Sequence, residues 1–202
     1  MNYYDALLSF MSEIEVVDSH EHLPPEADRV ASDPDFSLFF NHYCKTDLIS
    51  AGMPQSVADA MLGEPAFPWA SKVSVEEKWR AFEPYYSLIQ DGSYCRAAHL
   101  SMERLYGISR LSSLGDAQIL TSKMREANKK GIYQRILRDI CRIRVAVNYG
   151  YWTDDAEYLA PVPFVTEYAE AGKTTIFNLE ADTGVSCATL DNYVQAVHRL
   201  LS

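Results

Sequence analysis

The order of its elements constrains this chain more than any other feature. Glu15-Val16-Val17-Asp18-Ser19-His20 reads as a short strand, β-branched and running into a polar loop at Pro24-Pro25. A strand apolar on both faces suits a parallel sheet with helices on either side. The next hundred residues carry helical signals instead. Strand signals return at Ile143-Arg144-Val145-Ala146-Val147 and at Val162-Pro163-Phe164-Val165, and a helix from Thr189 to Leu201 closes the chain. The expected class is therefore α/β with parallel strands, and three strands leave such a sheet short of completion.

Several helix boundaries are readable. Before the first strand, Leu7, Leu8, Met11 and Ile14 suggest an amphipathic helix. Asp35 opens a short apolar segment over Phe36–Phe40, and a helical turn from Thr46 stops at Gly52. Ser74-Val75-Glu76-Glu77 forms a capping box, followed by Trp79, Phe82, Tyr86 and Ile89 at helical spacing. Pro84 is expected to kink or split that helix. Ser93 to Tyr106 is a further helix with Gly107 placed to stop it. Asp116 to Lys130 and Ile132 to Cys141 follow. Ile176-Phe177 fits either a helix or an extended piece. The last helix is built on Leu190, Tyr193, Val194, Val197 and Leu200/Leu201.

Of the 202 residues, 48% are hydrophobic and 23% charged, the balance of a globular protein. No apolar run approaches the roughly 20 residues of a membrane span, and the first residues lack the basic start of an export signal. The expectation is a cytoplasmic protein with no membrane partner. Its net charge of -10 opposes a nucleic-acid partner. One stretch runs the other way: residues 121–145 carry eight bases and two acids and read as a solvated helix face. Cys44, Cys95, Cys141 and Cys187 are widely spaced, with no C-x-x-C pair, and read as reduced, mostly buried thiols.

Chemistry concentrates at the end of the first strand. Asp18, His20 and His22 alternate, so strand geometry presents them on one face, two imidazoles side by side. Imidazole nitrogens bind zinc at about 2.0–2.1 Å, and open catalytic zinc sites use three protein ligands plus water. His20 and His22 are the candidate metal ligands. Functional residues of parallel barrels sit at the carboxyl ends of strands, the position this pair occupies. Glu21 falls on the opposite strand face. The H-E-x-x-H spacing of zinc proteases is absent. His99, in an apolar helix, reads as a core residue, and His198 as facing solvent.

Val16-Val17-Asp18-Ser19-His20-Glu21-His22-Leu23-Pro24-Pro25-Glu26 resembles the opening of the amidohydrolase superfamily, whose members place an H-x-H metal pair at the end of the first barrel strand. Asn41-His42-Tyr43, the run Asp47 to Met53, Glu77 to Phe82, Tyr94 to Ile108 and Thr189 to Tyr193 are similar, in order, to segments of the uronate isomerase branch. The resemblance implies the N-terminal part of a distorted (β/α)8 TIM-type barrel. A large helical insertion, about residues 36–141, would follow its first strand, and residues 1–202 would form one partial barrel domain stopping before the fourth strand. It also implies a divalent metal, zinc in the family's manner, on His20 and His22, and a substrate pocket lined by His42 and Tyr43. For His42, a satisfied histidine packed beside Phe39 and Phe40 stands as an equal alternative.

Departures from the branch matter equally. Its S-x-R-P-D-like segment, whose Arg holds the sugar acid, corresponds to Pro161-Val162-Pro163-Phe164-Val165-Thr166-Glu167, with no Arg. The later-strand ligands and catalytic Asp have no counterpart, so the chain reads as a truncated form. The expected function is metal-dependent hydrolysis of a small polar organic substrate. A sugar-acid isomerase or metal-assisted decarboxylase of the same fold is the first rival. A phosphoesterase of the polymerase-and-histidinol-phosphatase type also opens with D-x-H-x-H, but Leu23-Pro24-Pro25 differs from its usual Ser or Thr. An inactive fragment that acts through a partner chain, either a homo-oligomer or a missing C-terminal half, is the rival of another class.

Overall fold

Val16–Glu21 (β1) and Ile143–Tyr149 (β2), the two runs richest in β-branched residues, lie in one three-stranded parallel sheet of a computed structural model. It describes residues 2–62, 72–149, 157–162 and 172–200. The strand order is β1-β2-β3, with β3 at Leu159–Val162. β2 and β3 are parallel, Ala146 facing Leu159 and Tyr149 facing Val162. The second half of the expected strand 162–165 lies outside the described residues. The fold is mixed α/β and mostly helical, in two compact units. Residues 1–16 and 24–144 make a helical unit, and residues 17–23 with 145–202 make a sheet unit.

The helical unit contains α1 (Tyr3–Glu13), α2 (Glu26–Ala31), a 3-10 turn (Phe36–Phe40), α3 (Tyr43–Ser50), α4 (Gln55–Leu62), α5 (Val75–Ile89), α6 (Ser93–Tyr106), α7 (Leu114–Ala127) and a π-helical segment (Gln134–Ile140). The Ser74 capping box forms in both directions: Glu77 N donates to Ser74 Oγ at 3.2 Å and Ser74 N to Glu77 Oε2 at 3.1 Å. Gly107 ends α6 at φ +70°, a conformation glycine adopts without Cβ strain. α5 runs through Pro84 without a break, so of the expected kink or split the split does not occur. Pro84 lies on the solvent side, so water can satisfy the carbonyl its ring leaves unbonded.

Phe36, Phe40, Trp79, Phe82 and Tyr86 form the centre of this unit's core, with ring centres 4.7 to 6.5 Å apart. One ion pair is buried beside them. Lys78 Nζ donates to Asp35 Oδ2 at 2.6 Å and to Ser37 Oγ at 3.0 Å, while Asp35 Oδ1 accepts from Ser37 N and Oγ. Both charged side chains are at most 4% exposed. Such a pair is tolerable because each polar atom has partners.

A second polar cluster is buried between α5 and α6. His99 Nε2 lies 2.6 Å from the Tyr86 hydroxyl and 3.5 Å from Cys95 Sγ. Burial lowers the His99 pKa and pushes Tyr86 and Cys95 both up to about 12, so the thiol stays protonated. All four cysteines are free, and Cys141 alone is exposed.

Two expectations of burial fail. α1 buries no residue; Leu8, Met11 and Ile14 only wall an open cleft of about 470 Å³ with Leu100 and Leu105. Arg142, itself at φ +56°, holds the end of α1 by donating to the Ser12 and Glu13 carbonyls. Val16 and Val17 of β1 are 44% and 51% exposed, not covered on both faces.

In the sheet unit, Ile176 and Phe177 fall within a helix, α8 (Lys173–Thr183). α9 (Leu190–Leu200) opens with Asn192 N donating to Thr189 Oγ1. Leu179, Cys187, Tyr193 and Ala196 form a small core, while Leu190 and Val194 are exposed.

Two measurements check this account. Lys78→Met strands the buried Asp35 carboxylate and is expected to cost about 3 kcal/mol or more in urea unfolding, far above a surface Lys→Met control. His99 supplies the second. Its folded pKa lies below the ordinary ~6.5, so the unfolded chain takes up the proton first, and its contribution is present above that pH and lost below it. Glu21, raised to about 7, works in the opposite direction between pH 4.5 and 7. The readout is therefore the difference between wild type and His99→Gln, which should shrink from pH 7.5 to pH 5.5. A gap independent of pH would show that His99 titrates normally in the fold.

Candidate metal centre

His20 and His22 sit where β1 gives way to loop, and side-chain alternation brings their rings together. The two Nε2 atoms are 3.0 Å apart, with ring centres at 4.8 Å. Two nitrogens on one tetrahedral zinc ion lie about 3.3 Å apart, given bonds of 2.0–2.1 Å. The bite is thus close to that of a bidentate pair.

Neighbouring β2 orients them. His22 Nδ1 lies 3.1 Å from the Tyr149 carbonyl oxygen. A carbonyl only accepts, so Nδ1 carries the hydrogen and the neutral ring keeps its lone pair on Nε2. Backbone-held imidazoles of this kind are the usual outer shell of metal-bound histidine. The Tyr149 ring stacks on His20 at 4.5 Å. One residue earlier on β2, the buried Asn148 side chain accepts from Leu23 N at 2.7 Å and donates to Leu23 O at 2.9 Å. This double bond to the residue after His22 fixes the loop. A polar Asn148 directly after the strand signal Ile143–Val147 was the one signal in the sequence that could have pointed to it.

Asp18 Oδ1 accepts from His20 N at 3.2 Å. Its carboxyl also hydrogen-bonds Glu21, whose pKa rises to about 7, first through burial and then through Asp18. Glu21 therefore works with Asp18 across the strand end, where simple alternation separates them. Among the described residues, no group of three or more His, Cys, Asp and Glu side chains gathers as a metal cage. The donor set is two imidazoles, which fits a divalent metal whose remaining positions are filled from elsewhere.

His42 and Tyr43 belong to the helical unit. His42 is exposed, which removes the reading of a histidine packed beside Phe39 and Phe40. It stands at the start of α3 with φ +56° and ψ −117°, a strained conformation for a residue with a Cβ. Its ring meets Tyr43 edge-on at 4.7 Å, and Tyr43 stacks on Tyr94 at 4.8 Å and 15°. Tyr94 thus joins His42 and Tyr43 in an exposed aromatic row of the helical unit. No helix of the described residues is long and apolar enough to cross a membrane. No family model matches the chain, and no curated protein matches it.

Asn148→Leu keeps the branched shape and the number of heavy atoms of the buried side chain and removes both bonds to Leu23. It is expected to cost about 1–3 kcal/mol of stability and to weaken zinc binding about 10–100-fold, the usual effect of losing outer-shell support. Isothermal titration with zinc, paired with thermal unfolding, checks both. Unchanged zinc affinity in a folded variant would mean that the clamp does not position the histidines.

Proposed function

We propose that the chain carries the first-strand part of a metal-dependent hydrolase of amidohydrolase type, with His20 and His22 as zinc ligands and a small polar organic molecule as substrate. The observation that carries this reading is the convergence of the two Nε2 atoms at the carboxyl end of a parallel strand, with His22 already in the ligating tautomer. The three parallel strands fit the start of a (β/α)8 barrel, and the helical unit fits a large insertion after its first strand. The chemistry such an ion supplies is Lewis-acid activation of water and of a substrate carbonyl. The protein's own contribution is positional. Tyr149 and Asn148 hold the ligating loop, and the hydrogen-bonded carboxyls of Asp18 and Glu21 stand at the same strand end.

One observation favours a second reading. Only two ligands gather among the described residues, and Val16, Val17, Leu190 and Val194 are exposed. A chain that works only with a partner, a second copy or a separate C-terminal half, would present such surfaces.

Metal analysis after zinc loading and dialysis separates the readings. The chain is expected to retain about one zinc, at the weak affinity of a two-imidazole site, and His20→Ala/His22→Ala to retain none. Hydrolysis of small amides, esters and lactones, and isomerisation of uronates, are assayed alongside. Turnover abolished by the double variant supports the hydrolase or the isomerase according to the substrate consumed. Zinc retention without turnover supports the partner-dependent reading, and equal zinc in wild type and variant rejects the metal site.

A further inference from the structure

The basic stretch 121–145 plays no part in the histidine site, yet it does not simply face solvent. Lys123, Lys129 and Arg135 line one cavity of about 360 Å³ in the helical unit, with Leu105, Tyr106, Glu126 and Ala127. That volume lies in the range of small-ligand sites. Arg135 comes from the π-helical segment Gln134–Ile140, a rare geometry that concentrates at functional sites. Its Nη2 donates to the Leu105 carbonyl at 2.6 Å, and its guanidinium carbon lies 5.8 Å from the centre of the Tyr106 ring. Its Nη1 is buried and has no hydrogen-bond partner among the described residues. The Tyr106 hydroxyl hydrogen-bonds the same side chain, so Leu105 and Tyr106 hold Arg135 at the cavity wall. Lys123 Nζ donates to the Tyr106 carbonyl at 2.7 Å, which leaves two of its three hydrogens for other acceptors. Lys129 is exposed at the rim and forms no ion pair among the described residues.

We propose that this cavity binds a small phosphate-bearing anion, inorganic phosphate or a phosphomonoester, through Arg135, Lys123 and Lys129. Three cations around one cavity match a tetrahedral dianion with several acceptor oxygens. A monocarboxylate offers one charge and two coplanar oxygens. Glu126 and the overall charge of -10 oppose a polynucleotide. The site is independent of the histidine pair.

The test titrates the isotope-labelled 202-residue chain at constant ionic strength with sodium phosphate, glycerol 3-phosphate, sodium chloride and a short single-stranded oligonucleotide. Amide shifts are followed by NMR. Phosphate and glycerol 3-phosphate are expected to give saturable shifts at Leu105–Gly107, Lys123–Lys130 and Gln134–Ile136, and chloride none. Tighter binding of glycerol 3-phosphate assigns the site to a phosphomonoester, and equal binding to the free ion. Lys123→Ala and Lys129→Ala should each weaken binding about tenfold, the loss of one charge-assisted hydrogen bond. Arg135 also holds the end of α6, so Arg135→Ala could unfold the unit. Glu126→Gln avoids that ambiguity, because it should tighten binding severalfold, a gain no loss of folding can produce. Equal shifts with chloride, or unchanged affinity in Lys129→Ala and Glu126→Gln, would overturn the proposal. Binding of the oligonucleotide that phosphate does not displace would also overturn it.

Discussion

The amide of Asn148 is the interaction on which the histidine site depends. It pairs with both backbone groups of Leu23 and so imitates one rung of a β-ladder beyond the end of β1. The next residue, Tyr149, turns its carbonyl to His22 and its ring to His20. Without that clamp a polar loop beginning at His22 would sample many conformations, and two imidazoles would meet at 3.0 Å only occasionally. Ordering the loop in advance removes an entropic cost that ligand or metal binding would otherwise bear.

A similar logic organises the helical unit around groups that could not be buried singly. Asp35 is tolerated because Lys78 and Ser37 saturate it, and Lys78 because Asp35 and Ser37 do the same. The pair joins the segment before the 3-10 turn to α5, elements 43 residues apart. His99 and Tyr86 likewise satisfy each other within the aromatic core. Arg135 differs: one of its nitrogens is buried with no hydrogen-bond partner among the described residues, and the residue lines a cavity together with Lys123 and Lys129. That contrast, within one well-satisfied unit, is what marks the cavity out.

Much of the local structure was legible in the sequence because its causes are local. The Ser74 box, the Gly107 stop and the Trp79, Phe82, Tyr86 and Ile89 stripe act within a turn or two of helix. The same local reasoning left Pro84 open between a kink and a split; the helix does not split, because the cost of the proline depends on whether its freed carbonyl meets water or protein. It gave α1 as a helix, and the helix forms, but it did not decide what covers α1 or the Val16-Val17 pair, since apolar character states what a surface prefers and not whether anything covers it. For His42 the family resemblance and the neighbouring Phe39 and Phe40 left two environments open, and its exposure and positive φ came from the fold around α3.

By itself the sequence determined that two imidazoles leave one strand end on one side, because the side-chain period of a strand is two. It determined too that eight bases cluster within 25 residues. Only the tertiary structure decided which nitrogen of His22 holds the lone pair, because the carbonyl that selects the tautomer is 127 residues away. The same holds for the carboxyl of Glu21, pushed up to about 7 by burial and by Asp18, and for the guanidinium of Arg135, folded into a cavity. Proton positions and unmet hydrogen bonds depend on what packs nearby and on how much water it excludes, and segments distant in the chain supply both.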